Sequence, residues 1–477
     1  MTRELLADGP KAAGAFSGFK VLGVASTVAL GGFLVGFDAT VISGAVPFIR
    51  DYFGLGGASG SLKLGWAVSC LGWGAMAGNL AAGSLSDRFG RRTVLLLTAV
   101  LFLASSLTAA LSTSFTVFVA ARICGGLGVG AAILIAPVYI AEIAPAKSRG
   151  RLVSLNQLMI VIGISVSFFS NYFLLSAGGE SWRWMLGVQA IPAALYFLLL
   201  TLVPESPRWL LSKGREKSAL VVLAAVHGIA ASYRELANIQ ANLAKASRNF
   251  DIRDLFTVRL RQVMIFGLGI AFFQQATGIN AIFYYLPTIF ASSGGGLATA
   301  FGQSVLVGLV NVGMTLVAIW LIDRLGRRPL LSIGVAGMTV SLLTISWAFH
   351  AAHASIGGGS PISHEKVVLF ALIAFVASFA ISLGPVMWVL LSEIFPNEER
   401  AAAISVVGFW NSLVSASVTL IFPKELATLG PAGTFLGYGL LAGAGLVFIV
   451  ALAPETKGKT LEELEGILTP PKRVPEP

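Results

Sequence analysis

Apolar residues in this chain come in long runs, not in stripes or alternating pairs. Six runs cover about 19–48, 62–86, 93–112, 115–140, 151–176 and 183–203. A polar, charge-rich stretch from Pro204 to Arg261 follows, and then six more runs at about 262–291, 298–322, 329–350, 366–391, 400–422 and 433–453. Most are close to the ~20 residues that a helix needs to cross the hydrocarbon core of a bilayer. Backbone polar groups there must be bonded internally, which leaves helices or closed barrels. Barrel strands alternate over about ten residues, and these runs do not. The pattern therefore predicts an all-α integral membrane protein with twelve transmembrane helices in two six-helix bundles. The expected divisions are a polar N-terminal segment (1–18), a first bundle (19–203), a central loop (204–261), a second bundle (262–453) and a tail (454–477). Residues 1–18 hold no compact signal-peptide core, so the first run is read as a retained span. Within the central loop, Ser218–Val226 and Tyr233–Ala246 have helix-compatible composition.

Composition agrees: 56% of the 477 residues are hydrophobic, only 12% are charged, and the mean hydropathy is +0.82. Soluble domains average about 25% charged residues. The net charge of +10 would suit a polyanion, but its distribution says otherwise. Only Arg50, Lys63, Arg183, Lys366 and Lys424 fall in one set of loops, Arg122 lies inside a run, and the other 27 Lys and Arg lie on the opposite side. Cationic loops mark the cytoplasmic face. The charge thus reports topology and no nucleic-acid partner: a plasma-membrane protein, the bacterial inner membrane being expected, with both termini and the central loop in the cytoplasm. Cys70 and Cys124 lie within runs and show no metal or disulfide spacing. The sequence shows no nucleophile–base pair, ligand cluster or GxxxxGK[ST] loop, so neither an enzyme nor a cofactor or metal is expected.

The two halves repeat each other. Asp87-Arg88-Phe89-Gly90-Arg91-Arg92 returns as Asp323-Arg324-Leu325-Gly326-Arg327-Arg328. Glu142 with Arg149 returns as Glu393 with Arg400, and Pro204-Glu205-Ser206-Pro207-Arg208 returns as Pro454-Glu455-Thr456-Lys457-Gly458. The offsets are 236, 251 and 250 residues, a parallel repeat of six helices. Such halves hold a substrate between them near mid-membrane and rock against each other.

The seventh run, free of charge from Val263 to Phe290, contains Gln274, Gln275, Asn280, Tyr284 and Tyr285. Polar side chains in hydrocarbon face a partner helix or a wet cavity. Amides and hydroxyls both donate and accept hydrogen bonds, which suits a neutral polyol better than an ion. Gln274 and Tyr285 fall on one helical face and Asn280 and Tyr284 on another, so a bend at Gly278 is needed to aim them together. Interhelical glue is the alternative use of such residues. In the first half, Asp38 and Arg122 are the charged residues deep within spans, and a charge there costs about 3 kcal/mol or more. A static ion pair and a proton-binding pair are both open.

These motifs together resemble the sugar porter family of the major facilitator superfamily, from about residue 20 to 465. The DRxGRR loops indicate the superfamily. The paired PESPR and PETKG segments, with QQxxGIN in the seventh span, are more specific, and the likeness is greatest to bacterial sugar–proton symporters for xylose, glucose or galactose. The resemblance implies sugar contacts at Gln157, Gln274, Gln275, Asn280, Tyr284, Tyr285, Asn311 and Trp388, with Asn411 a further candidate contact outside the matched set, and proton coupling at Asp38 with Arg122. It implies a cytoplasmic gate at Asp87, Arg88, Arg91, Glu142, Arg149, Glu205, Arg208, Asp323, Arg324, Arg327, Glu393 and Arg400. Departures from the pattern are Val35, where relatives often carry Phe, and Asn411-Ser412, where the xylose symporters show Gln-Trp. The expected function is import of a monosaccharide (a hexose or a pentose such as glucose, galactose or xylose) with protons by alternating access, the working unit being a monomer in the lipid bilayer. A facilitative uniporter and a non-transporting sugar sensor are the alternatives, and the short tail speaks against the sensor.

Overall fold

The computed structural model describes residues 10–145, 148–245, 255–257, 259–354, 362–396, 399–459 and 461–468. Residues 1–9 and 469–477, Ala246 at the end of the second expected loop helix, and the Asp323 side chain lie outside the described residues.

The first five runs become α1 (Pro10–Tyr52), α2 (Gly57–Phe89), α3 (Arg91–Leu111), α4 (Phe115–Ile143) and α5 (Arg149–Leu174). The sixth is two helices, α6 (Ser181–Gly187) and α7 (Ala190–Thr201). The central loop forms α8 (Pro207–Ser212), α9 (Glu216–His227) and α10 (Ile229–Lys245). The seventh run is again a pair, α11 (Arg261–Ala276) and α12 (Ile279–Ser292). α13 (Leu297–Leu325) and α14 (Arg327–Ala354) follow, and the tenth run divides into α15 (Ile362–Ile381) and α16 (Val386–Ile394). α17 (Arg400–Leu452) carries the last two runs, separated at Gly430 (φ 67°, ψ 169°), and α18 (Leu461–Leu468) lies in the tail. Among the described residues there is no strand. Among the described residues, ten helical segments are long and apolar enough to cross a membrane. Dividing the last at Gly430 gives eleven, and α2 is the twelfth; its glycines and serines, with Lys63, Asn79, Asp87 and Arg88, lower the hydropathy of this 33-residue helix.

Two compact units form, and they do not follow the sequence halves. One contains Met1–Ala39, Gly74–Ile164 and Leu186–Asn249; the other contains Thr40–Trp73, Ser165–Met185 and Phe250–Pro477. In the first, α1 and α5 run so close that a methyl on Gly36 would overlap the Ile160 carbonyl. The loop helices there share a small core of Trp209, Leu210, Ala219, Leu223 and Leu236. Trp209 Nε1 also donates to the Asp87 carbonyl at 3.0 Å, tying the loop to the end of α2. In the second unit, stretches of α2 and α5 pack with helices of the second sequence half, and the end of α1 packs on α5, where Asn171 Nδ2 donates to the Val41 carbonyl at 3.1 Å. Ser165 Oγ donates to the Gly308 carbonyl at 2.6 Å, and the Phe168 and Phe283 rings lie 6.3 Å apart. Gly65 stands where any methyl would overlap the Leu420 carbonyl. Helices pack through small residues here because bilayers supply little hydrophobic drive between them.

Candidate functional site

In the second unit the organising feature is the interruption between α11 and α12. Gly278 occupies the left-handed region (φ 81°, ψ 15°), which a Cβ would strain. Its N–H donates to the Gln275 carbonyl at 2.9 Å, and its own carbonyl accepts from Ile282 N at 2.8 Å. A Cβ there would stand 3.4 Å from the Tyr438 ring. The bend expected at Gly278 is therefore present, as a break between two helices.

Around the break the amides form one connected network. Gln274 Nε2 donates to the Leu383 carbonyl at 2.7 Å, while its Oε1 accepts from Asn411 Nδ2 at 2.7 Å and Gln275 Nε2 at 3.2 Å. Gln275 Nε2 also donates to Asn411 Oδ1 at 3.1 Å. Asn411 Nδ2 reaches the Ala271 carbonyl at 3.1 Å. Asn280 Nδ2 donates to Gln275 Oε1 at 2.9 Å and to Ser415 Oγ at 2.7 Å. Gln274, Gln275 and Asn411 are buried, and Asn280 is the half-buried, more open member. The cluster is neutral, and each amide carries both donors and acceptors, so it can exchange these partners for hydroxyl groups without leaving a charge behind.

The other expected sugar contacts come from α5, α12, α13 and α16. Tyr285 is buried with its ring 5.2 Å from that of Phe422, and Tyr284 is half-buried. Asn311 is buried on α13, and among the described residues no hydrogen bond joins its side chain to the amide network. Trp388 is 39% exposed on α16, its ring edge 3.8 Å from where a Cβ on Gly408 would lie. Gln157 belongs to the first unit, exposed on α5. Ser415 was missed by sequence reasoning. It lies one helical turn after Asn411, on the same face of α17, and that spacing was the available signal.

In the first unit Asp38 on α1 pairs with Arg122 on α4, and both are 1% exposed. Arg122 Nη1 bonds Asp38 Oδ1, and Nη2 donates to the Asp38 carbonyl oxygen at 3.1 Å. Removing one partner from such a buried pair costs about 3–5 kcal/mol, because the other charge is left uncompensated.

At the RxGRR loops each half builds the same charged cluster. Gly90 (φ 100°) opens α3, where the N–H groups of Arg91 and Arg92 donate to Glu205 at 2.9 and 3.1 Å. The Arg91 guanidinium grips Glu142 through two 3.2 Å bonds and Asp87 at 3.0 Å, and Ser206 Oγ also bonds Glu142. Gly326 (φ 91°) opens α14, where the N–H groups of Arg327 and Arg328 donate to Glu455 at 3.2 Å each. Arg327 grips Glu393 at 3.2 and 2.8 Å, and Thr456 Oγ1 donates to Glu393 at 2.5 Å. A carboxylate at a helix N-terminus meets unpaired N–H groups and the positive dipole end. The Glu455 carboxyl is pushed up by burial, but the N–H groups of Lys457, Arg327, Arg328 and Thr456 outweigh that and hold it below its ordinary value. Among the described residues Arg88, Arg149, Arg208, Arg324 and Arg400 reach no carboxylate at ion-pair distance. Arg88 and Arg324 lie over Phe89 and Trp320 at 5.1 and 3.8 Å, Arg400 Nε donates to the Phe395 carbonyl at 3.2 Å, and Arg149 and Arg208 are exposed. Arg259, also missed from the sequence, joins Glu399 and Glu465 at 3.0 and 2.9 Å, tying α18 to the loop before α17. Among the described residues no group of three or more His, Cys, Asp or Glu converges as a metal site would.

Residues 24–468 match the family model described as "Sugar (and other) transporter". The chain belongs to that family. Among its curated relatives, this sugar transporter is 36% identical to the arabinose-proton symporter of Bacillus subtilis, with 94% of this chain and 95% of that one aligned. It is 35% identical to the D-xylose-proton symporter of Escherichia coli, over 94% and 96% of the two chains. Among solved structures, the inward-open conformation of the xylose transporter XylE from E. coli superposes with a TM-score of 0.82 at 34% identity, covering 94% of this chain and 100% of that one. The fold of the sugar transporter is thus the twelve-helix major facilitator fold, and the duplicated charged clusters are its internal repeat in structural form.

Proposed function

We propose that this transporter resides in the plasma membrane with both termini in the cytoplasm and imports a monosaccharide together with protons by alternating access. The observation that carries the reading is the connected amide network at the Gly278 break. Four amides and a serine share one set of hydrogen bonds in a membrane-spanning region, and Asn280 stands at its open side. A sugar presents hydroxyl edges that such groups read and a weakly apolar face that an aromatic ring covers. Trp388, being partly exposed, is the ring available for that face. Relatives named for arabinose, xylose and glucose support an aldopentose or aldohexose as the cargo.

Proton coupling is assigned to Asp38, buried against Arg122 in the first unit. A second reading, facilitative uniport, is favoured by Arg122's grip on both the side chain and the backbone of Asp38, which suits a fixed packing element. Counterflow of labelled L-arabinose, D-xylose, D-glucose and D-galactose in proteoliposomes, with and without an imposed pH gradient, tests both. Exchange of at least one sugar together with gradient-driven accumulation is expected. Exchange without accumulation would leave the uniporter, and no exchange of any sugar would remove the substrate class.

A further inference from the structure

The Asp38–Arg122 pair is incompletely bonded. Oδ1 is held by Arg122, but Oδ2 and Arg122 Nε are buried without a hydrogen-bond partner. Unsatisfied buried polar atoms are rare and call for an explanation. Gly125 lies three residues after Arg122, on the same face of α4. A methyl there would overlap Ser105 Oγ and stand 3.0 Å from Asp38 Oδ2. The missing side chain thus leaves the Ser105 hydroxyl and the open carboxylate oxygen flanking one small niche. Ser105 is buried on α3. Its neighbours Thr98 and Ser106 spend their hydroxyls on the carbonyls of Leu95 and Leu103, at 2.7 and 3.0 Å. Among the described residues Ser105 has no such bond. The surroundings are otherwise simple: α4 brings Arg122 as the facing charge, α3 brings Ser105 and no titratable group, and α5 meets α1 through uncharged Asn156 and Ile160 at Gly32 and Gly36.

We propose that Ser105 is the positioning residue of the proton site and that Asp38 Oδ2, rather than Oδ1, is the oxygen that is protonated. The inference rests on Asp38 being the coupling group. While Asp38 is ionised, the Ser105 side chain swings into the niche that Gly125 leaves, and its hydroxyl donates to Oδ2. Loading forms an O–H bond at Oδ2 with a proton delivered by water, and Ser105 Oγ then accepts from it. Release returns the proton to water. Ser105 keeps its own proton throughout and only changes its side-chain rotamer, so no oxidant or other reactant is needed.

The experiment follows the Asp38 carboxyl by pH-titrated infrared difference spectroscopy on the full chain in liposomes, the band being assigned by its loss in Asp38→Asn. Uphill uptake of whichever of D-xylose, L-arabinose and D-glucose the unmutated protein exchanges fastest is read in parallel. A charge-assisted bond is about twice as strong as a neutral one. Ser105→Ala therefore removes more from the ionised form than from the protonated form. Its titration and the alkaline limb of its uptake should move to higher pH by about one unit. Ser105→Thr should restore both, and Gly125→Ala, which puts a methyl into the niche, should also displace the titration. A Ser105→Ala and a Gly125→Ala protein that both titrate like the parent overturn the proposal. An Asp38→Asn protein that still accumulates sugar overturns instead the assignment of Asp38 on which it rests.

Discussion

Asn280 and Ser415, 135 residues apart in the chain, meet through a 2.7 Å hydrogen bond, and the same Asn280 Nδ2 also reaches Gln275 Oε1. A half-buried amide that already bonds two neighbours is held in one orientation before any ligand arrives. Asn280→Ala should remove a hydroxyl partner and also strand Ser415 and Gln275. The loss of a buried hydrogen bond costs about 1–3 kcal/mol, or roughly 5- to 150-fold in affinity. Gln275→Ala should lose a similar amount, since its Nε2 and Oε1 are both engaged. Calorimetric titration of sugar into the two purified variants measures this, and unchanged affinity in both would take the α11–α12 break out of the sugar site.

Glu455 gives a pH-dependent prediction. Its carboxyl titrates lower in the folded chain than its ordinary value of 4.5. The unfolded chain therefore binds that proton more tightly. The stabilisation is complete above about pH 5 and is lost as pH falls through the lowered folded value. Glu455→Gln keeps shape but loses the charge at the start of α14, which should cost about 1 kcal/mol near neutrality. Thermal unfolding in detergent should show the difference at pH 7, with the two proteins converging as pH drops below 4.5. A constant difference across that range would mean that Glu455 does not act through its charge.

What could be read from the chain differed from site to site. The amides of the seventh span were legible as a group because Gln and Asn in an uncharged apolar run must face a partner helix or a wet cavity. Gly278 was legible as a bend because the faces of Gln274 and Asn280 require one. The interruptions in the sixth and tenth spans were not foreseen, although Gly187 ends α6 and Pro385 precedes α16. Apolar length alone does not distinguish one helix from two. Ser415 stayed hidden because hydroxyls in helices commonly bond back to their own turn, as Ser412 does to the Gly408 carbonyl. Nor does an apolar run record which end of a helix packs with which neighbour, so the grouping of Thr40–Trp73 and Ser165–Met185 with the second half was invisible.

Gly278 should resist replacement more than most glycines. A side chain there is forced into the left-handed region, at roughly 1–2 kcal/mol, and also pushes on the Tyr438 ring at 3.4 Å. That ring is fixed at its far end, where Tyr438 Oη donates to Glu425 at 2.6 Å, so it has little room to yield. Gly278→Val should lower both thermal stability and sugar affinity. Stability and affinity equal to the parent would mean that α11 and α12 tolerate another geometry.

The charged clusters make a conformational prediction. Glu142 accepts three bonds from Arg91 and Ser206, all inside the first unit. If the clusters bias alternating access, Glu142→Gln should change the population of the two end states by about ten-fold, which corresponds to about 1.4 kcal/mol. Labelling of single engineered cysteines at the two membrane faces would read the change. Labelling rates equal to the parent at both faces would return Glu142 to a role in topology and local packing.

The strongest test of the mechanism is Asp38→Asn. Asparagine preserves size and hydrogen-bonding capacity but removes the titratable group. In the variant no proton binds at any stage, and the pH gradient has nothing to act on. Accumulation of sugar against its gradient should fall to the equilibrium level. Exchange of labelled for unlabelled sugar needs no net proton movement and should persist, because the amide network lies in the other unit. The unmutated protein should alkalinise a weakly buffered medium when sugar is added, and the variant should not. A variant that still concentrated sugar would show that the proton travels elsewhere. A parent protein that never alkalinised the medium would make Asp38 and Arg122 a packing pair and the transporter a uniporter.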